Sequence, residues 1–169
     1  MKHINFIIIL MILSFSSNAQ YSIFKSGLES RFIEEIKNYN EDYFFKNNLK
    51  VEFVSVKITN YNEINSQKMD SLLRTFLINK LLAVEVKISK LSYKDMIRSG
   101  IDYSNEAVNS PEYENYAKSI RKYRGQIGYK VQPYMKYIIR DMNGNHVSNH
   151  IEDAITYYFS NDFKIITVY

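Results

Sequence analysis

The chain has 169 residues, of which 46% are apolar and 24% are charged, a composition typical of a folded globular protein rather than a disordered one. Its net charge of +4 is small, with 22 basic residues interspersed among 18 acidic ones, so charge does not indicate a nucleic-acid-binding protein. Cysteine is absent, which excludes disulfide bonds, a cysteine nucleophile and a lipid-modified N-terminal cysteine.

Residues 1–19 have the features of a signal peptide for export. A basic start precedes an apolar run of about ten residues, which is too short for a membrane-spanning helix. Ser17 and Ala19 are small residues placed as in a cleavage site before Gln20. This junction resembles export signals of Gram-negative bacteria whose mature proteins begin with Gln. The sequence therefore predicts a soluble, periplasmic or secreted mature chain at 20–169, formed by one domain and without a membrane span.

The first two elements predicted after the signal peptide are a helix and a strand. Residues 26–46 begin with an S-x-x-E capping box and continue with apolar residues at spacings of three and four, which predicts a helix. Residues 49–59 form a predicted strand, in which the apolar residues change face between Phe53 and Val54. That change predicts either a strand buried on both faces or a β-bulge.

The middle of the chain is predicted to be helical. Residues 66–98 carry apolar residues at helical spacing, and Gly100 is a suitable helix end. One helix of that length would span about 50 Å, so a bend near its middle is expected. The alternative is a strand at 83–91, where apolar and charged residues alternate. A further helix is expected after Ser110, which precedes a proline at the first helical position, and 101–109 is a connector.

The C-terminal third predicts a three-stranded antiparallel meander. Residues 129–140 alternate strictly between apolar and other side chains, and the Asn-Gly pair at 143–144 marks a hairpin turn. The second strand occupies 147–159 and the third 163–169. We therefore expect an α+β fold, with three or more α-helices packed on one face of an antiparallel sheet that ends in this meander. The layout is similar to that of cystatin-like and nuclear-transport-factor-like folds.

The register of the hairpin follows from the length of its loop. A three-residue loop at 142–144, with Gly144 in a left-handed conformation, places the apolar residues of both strands on one face. The expected cross-strand pairs are Val131 with Ile155, Met135 with Ile151, Lys136 with His150, Ile139 with Val147 and Arg140 with His146.

His146 and His150 are the only histidines of the predicted mature chain. Four residues on a strand span about 13 Å, too far for both rings to bind one ion, and the expected cross-strand neighbours of both are cations. The sequence contains no nucleophile elbow and no glycine-rich phosphate loop. We therefore predict no catalytic residue, no metal site and no cofactor.

The polar face of the hairpin is the candidate binding surface, because it combines cations with a tyrosine. The candidate partner-binding residues are Tyr134, Lys136, Arg140, His146 and His150. The sequence thus favours an exported, non-catalytic binding protein of the bacterial cell envelope, including an inhibitor or immunity-type protein, whose partner is a protein or an envelope glycan. The alternative is a small exported, hydrolase-like enzyme with a site assembled from non-local Tyr, Asp and Glu side chains; convergent acids with shifted pKa values in a pocket would favour it.

Overall fold

The computed structural model describes residues 25–169, so the predicted signal peptide at 1–19 lies outside the described residues. In chain order the elements are α1 (25–46), β1 (Leu49–Ile64), α2 (Ser66–Ser89), α3 (Tyr93–Ser99), α4 (Ser104–Val108), α5 (Pro111–Arg121), β2 (Gly128–Asp141), β3 (His146–Glu152), β4 (Tyr157–Ser160) and β5 (Ile165–Val168). The α+β class is confirmed. No helix within 25–169 is long and apolar enough to cross a membrane.

The five strands form one antiparallel sheet in the order β1-β2-β4-β5, with β3 also paired to β2. The last three strands lie at the C-terminus, as predicted, although the second strand of the expected meander is divided into β3 and β4. The described chain separates into two compact units. Strands β1 and β2 each contribute residues to both units, and the single-domain organisation stays a prediction.

The first unit comprises residues 25–59 and 133–154 of the described chain. Within the described residues, helix α1 runs from 25 to 46, so it ends at the predicted position, and it buries Phe32 and Ile36 completely. Near the C-terminus of α1, the Phe44 ring packs 5.9 Å from the Tyr137 ring of β2. The Phe53 ring of β1 lies 6.0 Å from the same tyrosine. Within this unit, helix α1 therefore lies on the face of the strands that carries Tyr137 and the other buried, odd-numbered residues at 133–139 of β2.

The second unit comprises 60–132 and 155–169. Its core is a cluster of side chains from β1, α2, α5, the turn after α5 and β5, namely Ile64, Met69, Leu73, Ile120, Tyr123 and Ile166. The Asn65 side chain caps α2 by accepting a hydrogen bond from the backbone of Lys68. Ser110 caps α5 in the same way through Tyr113, and Pro111 is the first residue of α5, so the predicted start of this helix is confirmed.

The long segment at 66–98 is helical, so the alternative of a strand at 83–91 is wrong. Instead of bending, the helix stops: Lys90 adopts a left-handed conformation with φ 57°, which ends α2. Ser92 then begins α3 by accepting a hydrogen bond from the backbone of Asp95. Gly100, with φ 66°, ends α3 as expected. The connector at 101–109 contains the short helix α4.

Strand β1 is longer than predicted and continues to Ile64. The alternation between exposed and half-buried side chains changes phase between Ser55 and Val56, since both are half-buried. The change in burial thus lies two residues further along the chain than the predicted change between Phe53 and Val54.

The hairpin loop matches the prediction, but most of the register does not. Gly144 has φ 90°, and Arg140 pairs with His146, as expected for the three-residue loop. A β-bulge then leaves Val147 without a partner of its own and shifts the register by one residue. The strands continue with Tyr137 opposite His150, Lys136 opposite Ile151 and Met135 opposite Glu152, while Val131 pairs with Tyr157.

The expected pairs of Met135 with Ile151, Lys136 with His150, Ile139 with Val147 and Val131 with Ile155 are therefore wrong. The physical reason is that β3 pairs only with β2 among the described strands, so its apolar residues are not forced onto the buried face.

Candidate functional site

The even-numbered residues of β2 and their neighbours on β3 form a surface opposite the one covered by α1, which we call the outer face. Residues directly opposite each other in an antiparallel pair lie on the same face. The outer face is formed by Tyr134, Lys136, Ile138 and Arg140 of β2 and by His146, Asn149 and Ile151 of β3. It brings together four of the five predicted site residues, all except His150.

His150 lies on the face covered by α1. Its ring stacks on Tyr137 with the two ring centres 5.3 Å apart and the planes 11° from parallel. The Nε2 atom of His150 is 2.8 Å from the hydroxyl of Ser148. Burial, reinforced by the charge of Glu152, raises the pKa of Tyr137. The environment of His150 is thus that of a packed side chain, and it is separated from the outer face by the thickness of the strand.

Arg140 is held in place at one end of the outer face. Its Nε donates to the Glu52 carboxylate of β1 at 2.8 Å, and its Nη1 donates to the carbonyl of Gly144 at 3.3 Å. An exposed ion pair of this kind contributes about 0–1 kcal/mol to stability. Its larger effect is to fix the guanidinium group between two strands and the hairpin loop.

Three aliphatic side chains of the first unit are exposed on strands, and one of them, Val147, is at the bulge of β3. Ile151 of β3 is 61% exposed, although it lies directly opposite Lys136 in the ladder. Val54 of β1 is 53% exposed. It is two residues from Glu52, the partner of Arg140, and strand alternation places it on the same side of β1. Apolar area and cations therefore occur together on one face.

A groove runs between α1 and the start of β1. It has a volume of about 500 Å³ and is lined by Asn38, Glu41, Asp42, Phe45, Leu49, Lys50 and Val51. Phe45 lines this groove, and its side chain is 64% exposed. This groove was not predicted from the sequence. The residue that could have indicated it is Phe45, an aromatic residue outside the apolar stripe of the helix.

No group of three or more His, Asp or Glu side chains within 25–169 is arranged to hold a metal ion. The two histidines point to opposite faces of β3, and the Nε2 of His146 is 3.0 Å from the side-chain oxygen of Asn149. The absence of a metal site stays a prediction.

The carboxyl groups with shifted pKa values are all stabilised in their charged form. The pKa is lowered for Asp102, Glu112, Glu114, Asp141 and Asp162. A hydrogen bond from Lys87 is the main cause at Glu112, and hydrogen bonds from Asn145 are the main cause at Asp141. A general acid in a hydrolase needs the opposite shift, so none of these five groups supports the hydrolase alternative.

Comparison with known proteins gives no relative, because no family model, no curated protein and no solved structure matches this chain. A proposal for its function therefore depends on the chemistry of its own surfaces.

Proposed function

We propose that this chain is an exported, non-catalytic binding protein of the bacterial cell envelope, located in the periplasm or secreted, and that it recognises a protein partner through the outer face. The observation that carries this proposal is the position of Ile151, which is exposed on a regular strand directly opposite Lys136. An inhibitor or immunity-type role, in which the partner is an enzyme or a toxin, belongs to the same proposal.

The chemistry of the outer face favours a protein over a glycan. Protein interfaces combine an apolar centre with a polar, charged rim, and arginine and tyrosine are enriched among the residues that contribute most to binding. Ile151 and Val54 supply apolar area, and Lys136 and Arg140 supply positive charge. Because Arg140 is already held by Glu52 and Gly144, little of its side-chain freedom remains to be lost on binding. The partner is thus expected to present acidic side chains around an apolar contact.

Export itself is tested by the mass of the protein recovered from the envelope fraction. Cleavage after Ala19 gives a chain that begins at Gln20, with or without cyclisation of that residue. Recovery of the uncleaved chain from the inner membrane would contradict export as a processed protein.

Binding is tested by affinity capture from envelope extract with three baits. The wild-type chain is compared with the double variant Lys136→Glu/Ile151→Ser and with Ile97→Ser, a control on α3 whose wild-type side chain is equally exposed at 61%. We expect one partner to be retained by the wild type and the control and lost with the double variant. The purified partner should likewise bind the wild type and the control more tightly than the double variant.

Equal capture by all three baits would contradict the proposal. A fourth bait, Phe45→Ser, distinguishes the outer face from the groove between α1 and β1. Loss of the partner with Phe45→Ser and its retention with the double variant would place the interface in the groove and refute the role of the outer face.

A further inference from the structure

Three arginines of the second unit occur close together in the fold without carboxylate partners. Arg74 lies on α2, Arg121 is the last residue of α5, and Arg124 lies in the turn that follows. All three are exposed. Within 25–169, none of them has a carboxylate oxygen within 4.0 Å, in contrast to Arg140 of the outer face. We call these three residues and the depressions that they line the arginine surface.

The arginine surface consists of three depressions that share their walls. The first, of about 240 Å³, is lined by Asp70, Leu73, Arg74 and Arg124. The second, of about 290 Å³, shares Asp70 and Arg74 with the first. The third, of about 300 Å³, shares Arg124 with the first and adds Arg121. The three arginines therefore line adjoining depressions along α2 and α5.

A hydrogen bond fixes the turn that carries Arg124. The Asp70 carboxylate on α2 accepts a hydrogen bond of 2.8 Å from the backbone N–H of Gly125. Gly125 has φ 72°, a conformation that glycine adopts without strain. The backbone beside Arg124 is thus tied to the helix that carries Arg74, and the two arginines are held next to the same depression.

The charge balance of this surface is positive. Lys118 also lines it but is paired with Glu114 at 2.8 Å, so four cations face two carboxylates. One of these carboxylates, Asp70, already accepts the hydrogen bond from Gly125. The apolar lining is limited to Leu73, which is almost fully buried, and Ala117. Because cations outnumber carboxylates here, a ligand of this surface is recognised by its negative charge.

We propose that the arginine surface binds a small molecule that carries two or more linked phosphate groups. A guanidinium group donates two parallel hydrogen bonds to phosphate oxygens, which suits it to phosphate recognition better than an ammonium group. Several arginines along adjoining depressions match several phosphate groups in one ligand. This proposal does not depend on the proposed function, because the arginine surface and the outer face have no residue in common.

Isothermal titration of the purified protein with pyrophosphate at low salt tests the proposal. We expect binding that weakens with added salt, because the contacts are exposed charges. Arg74→Gln and Arg124→Gln should each weaken it by about tenfold, the effect of one hydrogen bond to a charged group. Arg98→Gln, which removes an exposed arginine from the end of α3, should leave the affinity unchanged. Circular dichroism and thermal melts establish that each variant is folded.

Two substitutions of Asp70 separate its charge from its hydrogen bond. Asp70→Asn keeps an oxygen that accepts from Gly125 and removes the negative charge, so pyrophosphate should bind more tightly. Asp70→Ala also removes the negative charge but loses the hydrogen bond, so its binding should be weaker than that of Asp70→Asn.

Four results would overturn the proposal. They are no binding of pyrophosphate, an equal loss of affinity in Arg98→Gln, inorganic phosphate bound as tightly as pyrophosphate, and preference for a glutamate-rich peptide over pyrophosphate. If free pyrophosphate does not bind, binding to vesicles that contain phosphatidic acid would identify the ligand as a lipid surface.

Discussion

Gly128, at the start of β2, occupies a position with no room for a side chain. A Cβ atom at this residue would overlap the end of the Met69 side chain and the backbone carbonyl of Phe159. Both neighbours are fully buried, and the carbonyl belongs to the strand paired with β2. Glycine is therefore required because of this close approach.

We predict that Gly128→Ala lowers the free energy of unfolding by about 1–3 kcal/mol, the usual effect of overpacking a core. Gly27→Ala is the matched control, because a Cβ atom at Gly27 in α1 meets no heavy atom within 4 Å. The control should leave stability unchanged or raise it by up to about 1 kcal/mol, since alanine favours the helix. Chemical denaturation measures both, and an equal effect of the two substitutions would contradict the close packing at Gly128.

The two histidines differ in packing and should differ in their contribution to stability. His150 stacks on Tyr137 and contacts Ser148, whereas His146 is exposed. His150→Ala should lower the free energy of unfolding by about 0.5–1.5 kcal/mol through loss of the ring contact. His146→Ala should change it by no more than about 0.5 kcal/mol. Equal effects in urea unfolding would contradict the packing of His150 against Tyr137.

At the scale of elements, the loop of the β2–β3 hairpin is held by Asp141. Its carboxylate accepts hydrogen bonds of 2.8 Å from both the backbone and the side chain of Asn145. These bonds lower the pKa of Asp141 below its ordinary value of 3.8. Because the pKa is lower in the folded chain, the stabilisation is present above about pH 4 and is lost as the pH falls through the folded value.

Asp141→Ala should therefore be less stable than the wild type at pH 7, and the difference should shrink below pH 4. Asp153→Ala is the control, because it also removes one carboxylate but does so in the exposed segment after β3. Urea unfolding at both pH values measures the effect. A difference that does not change with pH would show that the hydrogen bonds to Asn145 contribute nothing to stability.

Strand β5 closes the sheet of the second unit. Ile166 belongs to the core cluster, and Tyr169 exchanges two backbone hydrogen bonds, of 2.7 and 2.9 Å, with Thr156. Deletion of 163–169 should abolish cooperative unfolding of this unit, because the core and one ladder of the sheet are lost together. Deletion of Tyr169 alone should only lower the melting temperature. An unchanged melt after the longer deletion would refute the role of β5.

Elements whose ends depend on local chemistry could be predicted from the sequence. Ser110 and the proline after it begin α5, and Gly144 turns the hairpin, because caps and turns are determined by a few adjacent residues. The break between α2 and α3 was missed because the apolar spacing continues through it and Lys90 replaces the usual glycine. Ser92 and Asp95, which share two hydrogen bonds, were the available signal.

The bulge at Val147 could not be predicted, because the choice of register depends on which face of β3 is buried. The predicted register places the apolar residues of both strands on the buried face. In the fold, Ile151 is exposed and His150 occupies the buried side. Four of the five predicted site residues nevertheless lie on one face, because strand alternation in β2 does not depend on the register of β3.

At the scale of the whole molecule, each compact unit carries a surface of its own chemistry. The outer face of the first unit combines exposed aliphatic and cationic residues, and the arginine surface of the second is dominated by three arginines without carboxylate partners. The arginine surface could not be predicted from the sequence, because Arg74 and Arg124 are fifty residues apart and only the fold brings them together.

The central claim, that a protein partner docks on the outer face, is tested most directly by photo-crosslinking in living cells. A photoreactive phenylalanine analogue replaces Ile151 in one strain and Ile97, a side chain of equal exposure in the other unit, in a second strain. We expect one discrete crosslinked product at position 151 that is lost when Lys136→Glu is added, and no such product at position 97. No product at position 151, or the same product at both positions, would contradict it.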